Sequence, residues 1–303
     1  MLDNVLQLTV NGLINGTSYA LLGVAFSLIL GVTGRFHVAF TFTYTISAYL
    51  AAVAGERAGL PFWAALLVGA AVGAVFGVLM ERFIYRPLAA RGSANTLLMI
   101  FVASLGLSII GRNVIGLIWL STTSEQINSF TNAGINVGPL NFTTIDVVNV
   151  VVTWTLIIAT SVLLSNTKLG RSIRAVRVNP EMSLVVGIDP GRVFLAVFAI
   201  GSFLGGVGAV LTATKTSAVP DMGFNPLFYA FVVAFLSGLD TRPVRVGLVG
   251  LGLGLVESWS EIWLPTIWTS LVVFAILFVY VALRPVQFRL LFHRFAPRRA
   301  VKA

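Results

Sequence analysis

The chain has 303 residues, of which 57% are apolar and only 10% charged, whereas soluble domains carry roughly a quarter charged residues. So few polar side chains cannot cover a water-facing surface of this size, which excludes a soluble domain and points to a polytopic membrane protein. Lys+Arg outnumber Asp+Glu by 20 to 11, but no basic stretch is interleaved with aromatics as nucleic-acid binding would need, and the absence of cysteine excludes disulfides, thiolate metal sites and a cysteine nucleophile.

The first residues, MLDNVLQLTVNGLING, carry no basic n-region and no small-residue cleavage site, which argues against a removable signal peptide. Apolar windows near the ~20 residues that cross a ~30 Å hydrocarbon layer follow at 10–31, 36–55, 60–82, 95–118, 145–164, 191–213, 226–239, 246–263 and 266–283. The window at 226–239 is short and fits a full span, a half-helix or a re-entrant segment. The pattern predicts a single all-α transmembrane bundle over residues 1–303, with about 8–10 spans. Small residues recur four apart at Gly12/Gly16, Gly69/Gly73/Gly77, Gly201/Gly205 and Gly250/Gly254. Residues at that spacing share a helix face and let two backbones approach closely, which predicts packing seams within the bundle and pairing with a second chain.

Orientation follows from basic residues in short loops, since the cytoplasmic side keeps the excess. With the N-terminus outside, the segments 31–35, 83–94, 165–190, 240–245 and 284–303 and their edges fall inside and hold 17 of the 20 Lys+Arg. Arg57 and Lys215 fall outside with Asp3, Glu56, Glu125, Asp146, Asp221 and Glu261, and Arg112 falls within a span. The C-terminus is then cytoplasmic, and the basic tail 284–303 lies against anionic headgroups as a topology anchor. The polar segment 119–144, rich in Asn, Ser and Thr, is external, either as a docking surface or as a plain loop.

TKLGRSIRAVRVNPEMSLVVGIDPGRV, residues 167–193, is too polar to cross and reads as a short cytoplasmic helical hairpin over about 165–190. Leu169, Ile173 and Val176 line one side of its first helix, while Arg171, Arg174 and Arg177 line another. Asn179–Pro180 fits an N-cap and first helical position, Glu181 suits the first turn, and Gly187 ends the second helix. Asp189–Pro190 starts the next span. The second helix carries an apolar face of Met182, Val185 and Val186 suited to a protein groove; an interfacial element with its arginines on lipid phosphates has the same periodicity.

The hairpin resembles the cytoplasmic coupling loop of ABC transporter permeases of the branched-chain amino acid type, with Thr167, Leu169, Gly170, Arg171, Arg174, Ala175, Glu181, Gly187 and Ile188 on the family pattern. GLINGTSYALLGVAFSLILGVTG is similar to the family's first span, ERFIYRPLAARG to its basic loop, and LRP at 283–285 to its terminal motif. The resemblance implies a permease subunit in a bacterial cytoplasmic (inner) membrane that moves an amino acid or related small polar solute by alternating access. It implies as partners a second permease chain, homologous or identical, two ATP-binding cassette subunits inside and a solute-binding protein outside. Arg171, Arg174, Glu181, Met182, Val185 and Gly187 are then expected to couple to the ATPase. ATP is used by the partner subunits and no cofactor is bound by this chain; consistently, no G-x-x-x-x-G-K-[ST] phosphate loop is present.

The chain departs from the family at FHVAFTFTYT, which lacks the expected His-Gly, and at SGLDTRPVRVG, where a glycine-rich turn is expected. His37 reads as a structural histidine. Thr41, Thr43 and Tyr44, with Thr45 and Ser47, either bond their own helix or line a polar path. Glu257 lies inside an apolar window and is the leading ionisable path residue, the competing reading being a structural pairing. A secondary transporter or channel would need several mid-membrane charges, which are scarce, and an intramembrane enzyme would need a catalytic constellation, which is not visible in a chain whose histidines are His37 and His293.

Overall fold

The computed structural model describes residues 2–92, 95–119, 127, 130, 133–138 and 140–283; the basic tail expected at 284–303 lies outside them. The described residues form an all-α bundle with one long helix for each apolar window. In chain order these are α1 (Leu2–Thr33), α2 (Phe40–Glu56), α3 (Phe62–Met80), then a short α4 (Arg86–Ala90), α5 (Thr96–Trp119) and α6 (Thr144–Asn166). The hairpin supplies α7 (Lys168–Val178) and α8 (Pro180–Val185), followed by α9 (Pro190–Thr216), α10 (Phe224–Leu236), α11 (Pro243–Ser260) and α12 (Thr269–Leu283). Among the described residues, five runs, α1, α3 continued through α4, α5, α6 and α9, are long and apolar enough to cross a membrane.

α1 is the central post, packed most extensively on α11 and also on α10, α9 and α6, while α3 lies along α9 and α2. The glycine repeats explain both close pairings. A β-carbon built on Gly254 would fall 2.3 Å from Gly16 Cα, and one on Gly73 would fall 2.4 Å from the Ser202 carbonyl oxygen. Backbone therefore touches backbone along the α1–α11 and α3–α9 seams, where dispersion rather than water exclusion holds helices together in lipid.

Two segments differ from the sequence expectation, and the window at 226–239 is short, as the sequence has it. Residues 83–90 are helical rather than loop, because α3 continues through a π turn (Glu81–Tyr85) into α4; its extra residue per turn brings both Glu81 and Tyr85 inward, where each meets a polar partner. The segment 119–144 contains a two-stranded hairpin, β1 (Gly134–Val137) with antiparallel β2 (Leu140–Thr143), tied to α1 by two 2.8 Å hydrogen bonds between Gln7 and the Asn141 backbone. α10 has 13 residues, about 20 Å of rise against a ~30 Å layer. The connection 217–223 packs against the bundle: Ala218 is buried, and a β-carbon on Gly223 would fall 2.4 Å from the Thr41 carbonyl oxygen.

The helices alternate between two ends. At one, Arg177 bonds Thr241 Oγ1 at 2.8 Å and Leu239 O at 2.9 Å, and Ser27 bonds Asp240 O at 2.8 Å. At the other, Ser258 Oγ donates to Leu8 O at 2.6 Å and Trp259 Nε1 to Thr9 Oγ1 at 3.1 Å. Arg174, Arg177, Arg242 and Arg245 line one pocket at the hairpin end, and Arg86 reaches the start of α9 at Gly191.

Candidate translocation site

A cavity of about 430 Å³ lies between α1, α6, α9, α10 and the inward-folded connection 217–223. α1 contributes Asn15, Ser18, Tyr19 and Leu22, which share one helix face; α6 contributes Ile145, Asp146 and Asn149; and α9 contributes Leu211, Thr212, Lys215 and Thr216. Ser217, Val219 and Met222 of the connection and Asn225 and Tyr229 of α10 complete the wall. Irregular backbone at this depth is tolerated where it lines a cavity, because its polar groups then have somewhere to turn. Ser217 holds a φ of 94°, a conformation an L-residue keeps only when its surroundings enforce it, and such positions cluster at functional sites.

Asp146 and Lys215 form the charged corner. Lys215 Nζ lies 2.7 Å from Asp146 Oδ1, while the other carboxylate oxygen takes the Thr143 hydroxyl at 2.6 Å and the Thr143 backbone N–H at 3.0 Å. Asp146 is thus fixed by the capping box that starts α6. Its side chain is 7% exposed against 45% for Lys215, so the pair runs from wall to rim. Asn149 Nδ2 donates to Ser18 Oγ at 2.9 Å one turn deeper.

Of the residues expected to line a path, Tyr44 borders this cavity: its hydroxyl donates to Thr212 Oγ1 at 2.7 Å and lies 3.1 Å from Gly208 O. Thr41 and Thr43 are buried outside the lining. Thr41 Oγ1 is 2.6 Å from Ser108 Oγ, and Thr43 Oγ1 bonds Ala39 O at 3.2 Å and rests on Met80 Sδ at 3.7 Å. Thr45 and Ser47 bond their own helix at Thr41 O and Thr43 O. Glu257 sits behind the lining, 8% exposed. Tyr229 donates to its Oε1 at 2.5 Å and stacks on Tyr19 at 4.1 Å between ring centroids, while Oε2 has no partner among the described residues. The tyrosine pair therefore screens a buried carboxylate from the cavity. Sequence reasoning missed Asp146 and Lys215 as a pair, although Asp146 carries a local signal three residues after the Thr143 cap.

Towards the hairpin end, α1, α5, α10 and the α1–α2 connection pack through a cluster of aromatic rings. Phe26 and Phe36 meet edge to face at 5.9 Å, Phe36 meets Phe231 at 5.5 Å and Phe101 at 5.8 Å, and Phe231 meets Phe235 at 4.3 Å. Next to this aromatic cluster lies a buried polar group. His37 Nδ1 is 2.9 Å from Tyr85 Oη, which is 2.8 Å from Ser104 Oγ, and that hydroxyl accepts the Ala39 N–H at 2.8 Å. Arg35 pairs with Glu81, both side chains buried.

The hairpin matches its punctuation. Thr167 caps α7 through Gly170 N at 3.1 Å, Asn179 Oδ1 caps α8 through the N–H groups of Glu181 and Met182 at 3.0 and 3.1 Å, and Gly187 turns the chain with φ 81°. Ile173 and Val176 are buried, so α7 is held to the bundle, helped by Arg174 on the Leu164 carbonyl and Arg177 on the 239–241 segment. Two of the three arginines are thereby committed within the chain, and Arg171 is exposed. On α8 and its exit, Glu181 is exposed, as are Met182 at 62%, Val185 at 79% and Val186 at 71%, with Leu184 beside them at 59%. Among the described residues, no group of three His, Asp or Glu is placed to hold a metal ion.

Residues 8–282 match the family model described as the branched-chain amino acid transport system permease component. The high-affinity branched-chain amino acid transport system permease protein BraD of Pseudomonas aeruginosa is 28% identical over 296 residues, covering 92% of this chain and 94% of the relative. The corresponding LivH of Escherichia coli is 28% identical over 293 residues with the same coverage. The fructose import permease protein FruF of Bifidobacterium longum is 24% identical over 212 residues, covering 67% of this chain and 54% of the relative. No solved structure matches the chain.

Proposed function

Because the chain belongs to the family of branched-chain amino acid transport system permease components, we propose that it carries an amino acid of the branched-chain type, or a related small polar solute, as the membrane subunit of an ABC importer. The N-terminus and the cavity face outside, where a solute-binding protein delivers, and the basic hairpin end faces the cytoplasm of a bacterial inner membrane. A second permease chain, homologous or identical, completes the pore, and two ATPases dock on the cytoplasmic side. This chain binds no cofactor; the ATPases supply the energy of ATP hydrolysis.

The observation that carries this reading is a series of contacts leading from the exposed α8 to the cavity. α8 follows α7 directly through the shared cap residue Asn179, Arg177 of α7 holds Leu239 O and Thr241 Oγ1, and these follow α10, whose opposite end places Asn225 and Tyr229 in the cavity wall. A push on α8 would reach α10 through α7, the Arg177 contacts and the turn at Gly238 and Leu239, which suits a two-state element biased from both sites. α8, with Glu181, Met182 and Val185 and with Gly187 as its stop, serves as the knob; Arg171 flanks it, and Arg174 braces its base. Alternating access follows if closure of the ATPase pair displaces α10, repacks the aromatic cluster around Phe231 and narrows the cavity. Tyr44 belongs to the path wall, Glu257 stands behind it, and Thr41 and Thr43 pack the helix that carries it.

The test is uptake of labelled leucine into proteoliposomes holding the chain with its ATPases, second permease and binding protein. ATP-dependent accumulation is expected. Uptake driven by an ion gradient without ATPases would establish the secondary-transporter reading instead.

A further inference from the structure

We propose that the Asp146–Lys215 pair is the recognition element for the zwitterionic head of the solute, a reading that rests on the amino-acid importer assignment and specifies its site. The two charged atoms stand 2.7 Å apart, close to the separation of ammonium and carboxylate carried on a single carbon. A zwitterion laid antiparallel on the pair puts its carboxylate on Lys215 and its ammonium on Asp146, so each charge meets its opposite and none is left unbalanced. A sugar has no such dipole, and a monocarboxylate or a monoamine brings a single unbalanced charge beside the like-charged member of the pair, which is costly in a partly desolvated wall.

The chain leaves room for this. One ammonium N–H of Lys215 goes to Asp146, and among the described residues none takes the other two. Asp146 Oδ2 is occupied by Thr143, whereas Oδ1 receives only Lys215 and, as a carboxylate oxygen, can accept a second donor. The capping box fixes the carboxylate before any solute arrives, so little ordering entropy is spent on binding. Beside the pair, Ile145, Leu211, Val219 and Met222 give an apolar wall against which an aliphatic side chain can lie. Lys215 also sits in the last turn of α9, where the helix dipole favours a cation. A structural bridge between α6 and α9 alone would explain the contact, but neither the cavity beside it nor the unused donors.

The probe is L-leucine binding to the full-length chain in lipid nanodiscs, read by saturation-transfer NMR. Leucine should bind, while 4-methylpentanoate, 3-methylbutylamine and D-fructose should bind at least about tenfold more weakly. Lys215→Gln should lose leucine binding by a similar factor and Lys215→Arg should retain most of it, both measured on monodisperse chain. Because the chain has no cysteine, Asn225→Cys provides a second reading: leucine should slow its reaction with a small thiol reagent. Leucine binding unchanged in Lys215→Gln, or 4-methylpentanoate binding as well as leucine, would overturn the proposal while ATP-driven leucine uptake by the complex left the importer reading intact. Fructose binding and uptake in place of leucine would overturn both.

Discussion

Val185 offers the sharpest separation between docking and resting on lipid. Its side chain is 79% exposed at the end of α8, so Val185→Asp disturbs almost nothing within this chain, and its folding cost should stay within ~0.5 kcal/mol. In a complex the accounting changes. Full burial of a valine is worth roughly 1.5–3 kcal/mol, and covering the exposed four-fifths would contribute about 1–2 kcal/mol. A carboxylate in the same apolar groove forfeits that and adds a desolvation cost of roughly 1–3 kcal/mol. The smaller sum, about 2 kcal/mol, weakens ATPase binding about 30-fold. Glu181→Lys provides the opposite sign for the lipid reading. It places a cation in the first turn of an exposed helix, costing roughly 0.3–1 kcal/mol, but would improve adhesion to anionic headgroups. The assay is recovery of the ATPase subunits with the tagged chain after gentle detergent extraction, alongside solute-stimulated ATP hydrolysis in proteoliposomes. Both variants should insert normally and lose both signals. Wild-type recovery in Val185→Asp together with full activity in Glu181→Lys would refute α8 as the docking element.

Gly254→Val should dissociate the α1–α11 seam, because its first side-chain carbon would meet Gly16 Cα at 2.3 Å and both partners are backbone; a loss above roughly 3 kcal/mol is expected, read as aggregation on heating in detergent. Gly252→Ala, with nothing within 4 Å of the added carbon, should leave the melting temperature unchanged or raise it, since alanine is the better helix former by ~1 kcal/mol. Arg35→Met should destabilise by about 3–5 kcal/mol by leaving the buried Glu81 without its counter-charge, and Arg35→Met with Glu81→Met should recover most of that; equal losses in the single and double variants would deny the pair its structural role. For orientation, a membrane-impermeant thiol reagent added to intact cells should label Asn136→Cys and spare Ser172→Cys, and the reverse pattern would invert the proposed topology.

The sequence by itself determined every element whose cause is local or follows from solvent. The apolar windows, the basic excess at one set of loops and the hairpin caps at Thr167, Asn179, Gly187 and Asp189 are legible because hydrocarbon thickness, backbone hydrogen bonding and φ preferences act on neighbouring residues. The four-residue glycine spacing announced close approach but not between which helices, since Gly16 meeting Gly254 depends on packing across most of the chain's length. Only the tertiary structure decided that Tyr44 borders a cavity while Thr41 and Thr43, on the same helix, pack inside, because which face of an almost uniformly apolar helix turns inward is set by its neighbours and not by amphipathicity. It also decided that Asp146 and Lys215, 69 residues apart, make one charged pair. Such a contact leaves no periodic trace in the sequence, because the fold alone brings the start of α6 to the end of α9.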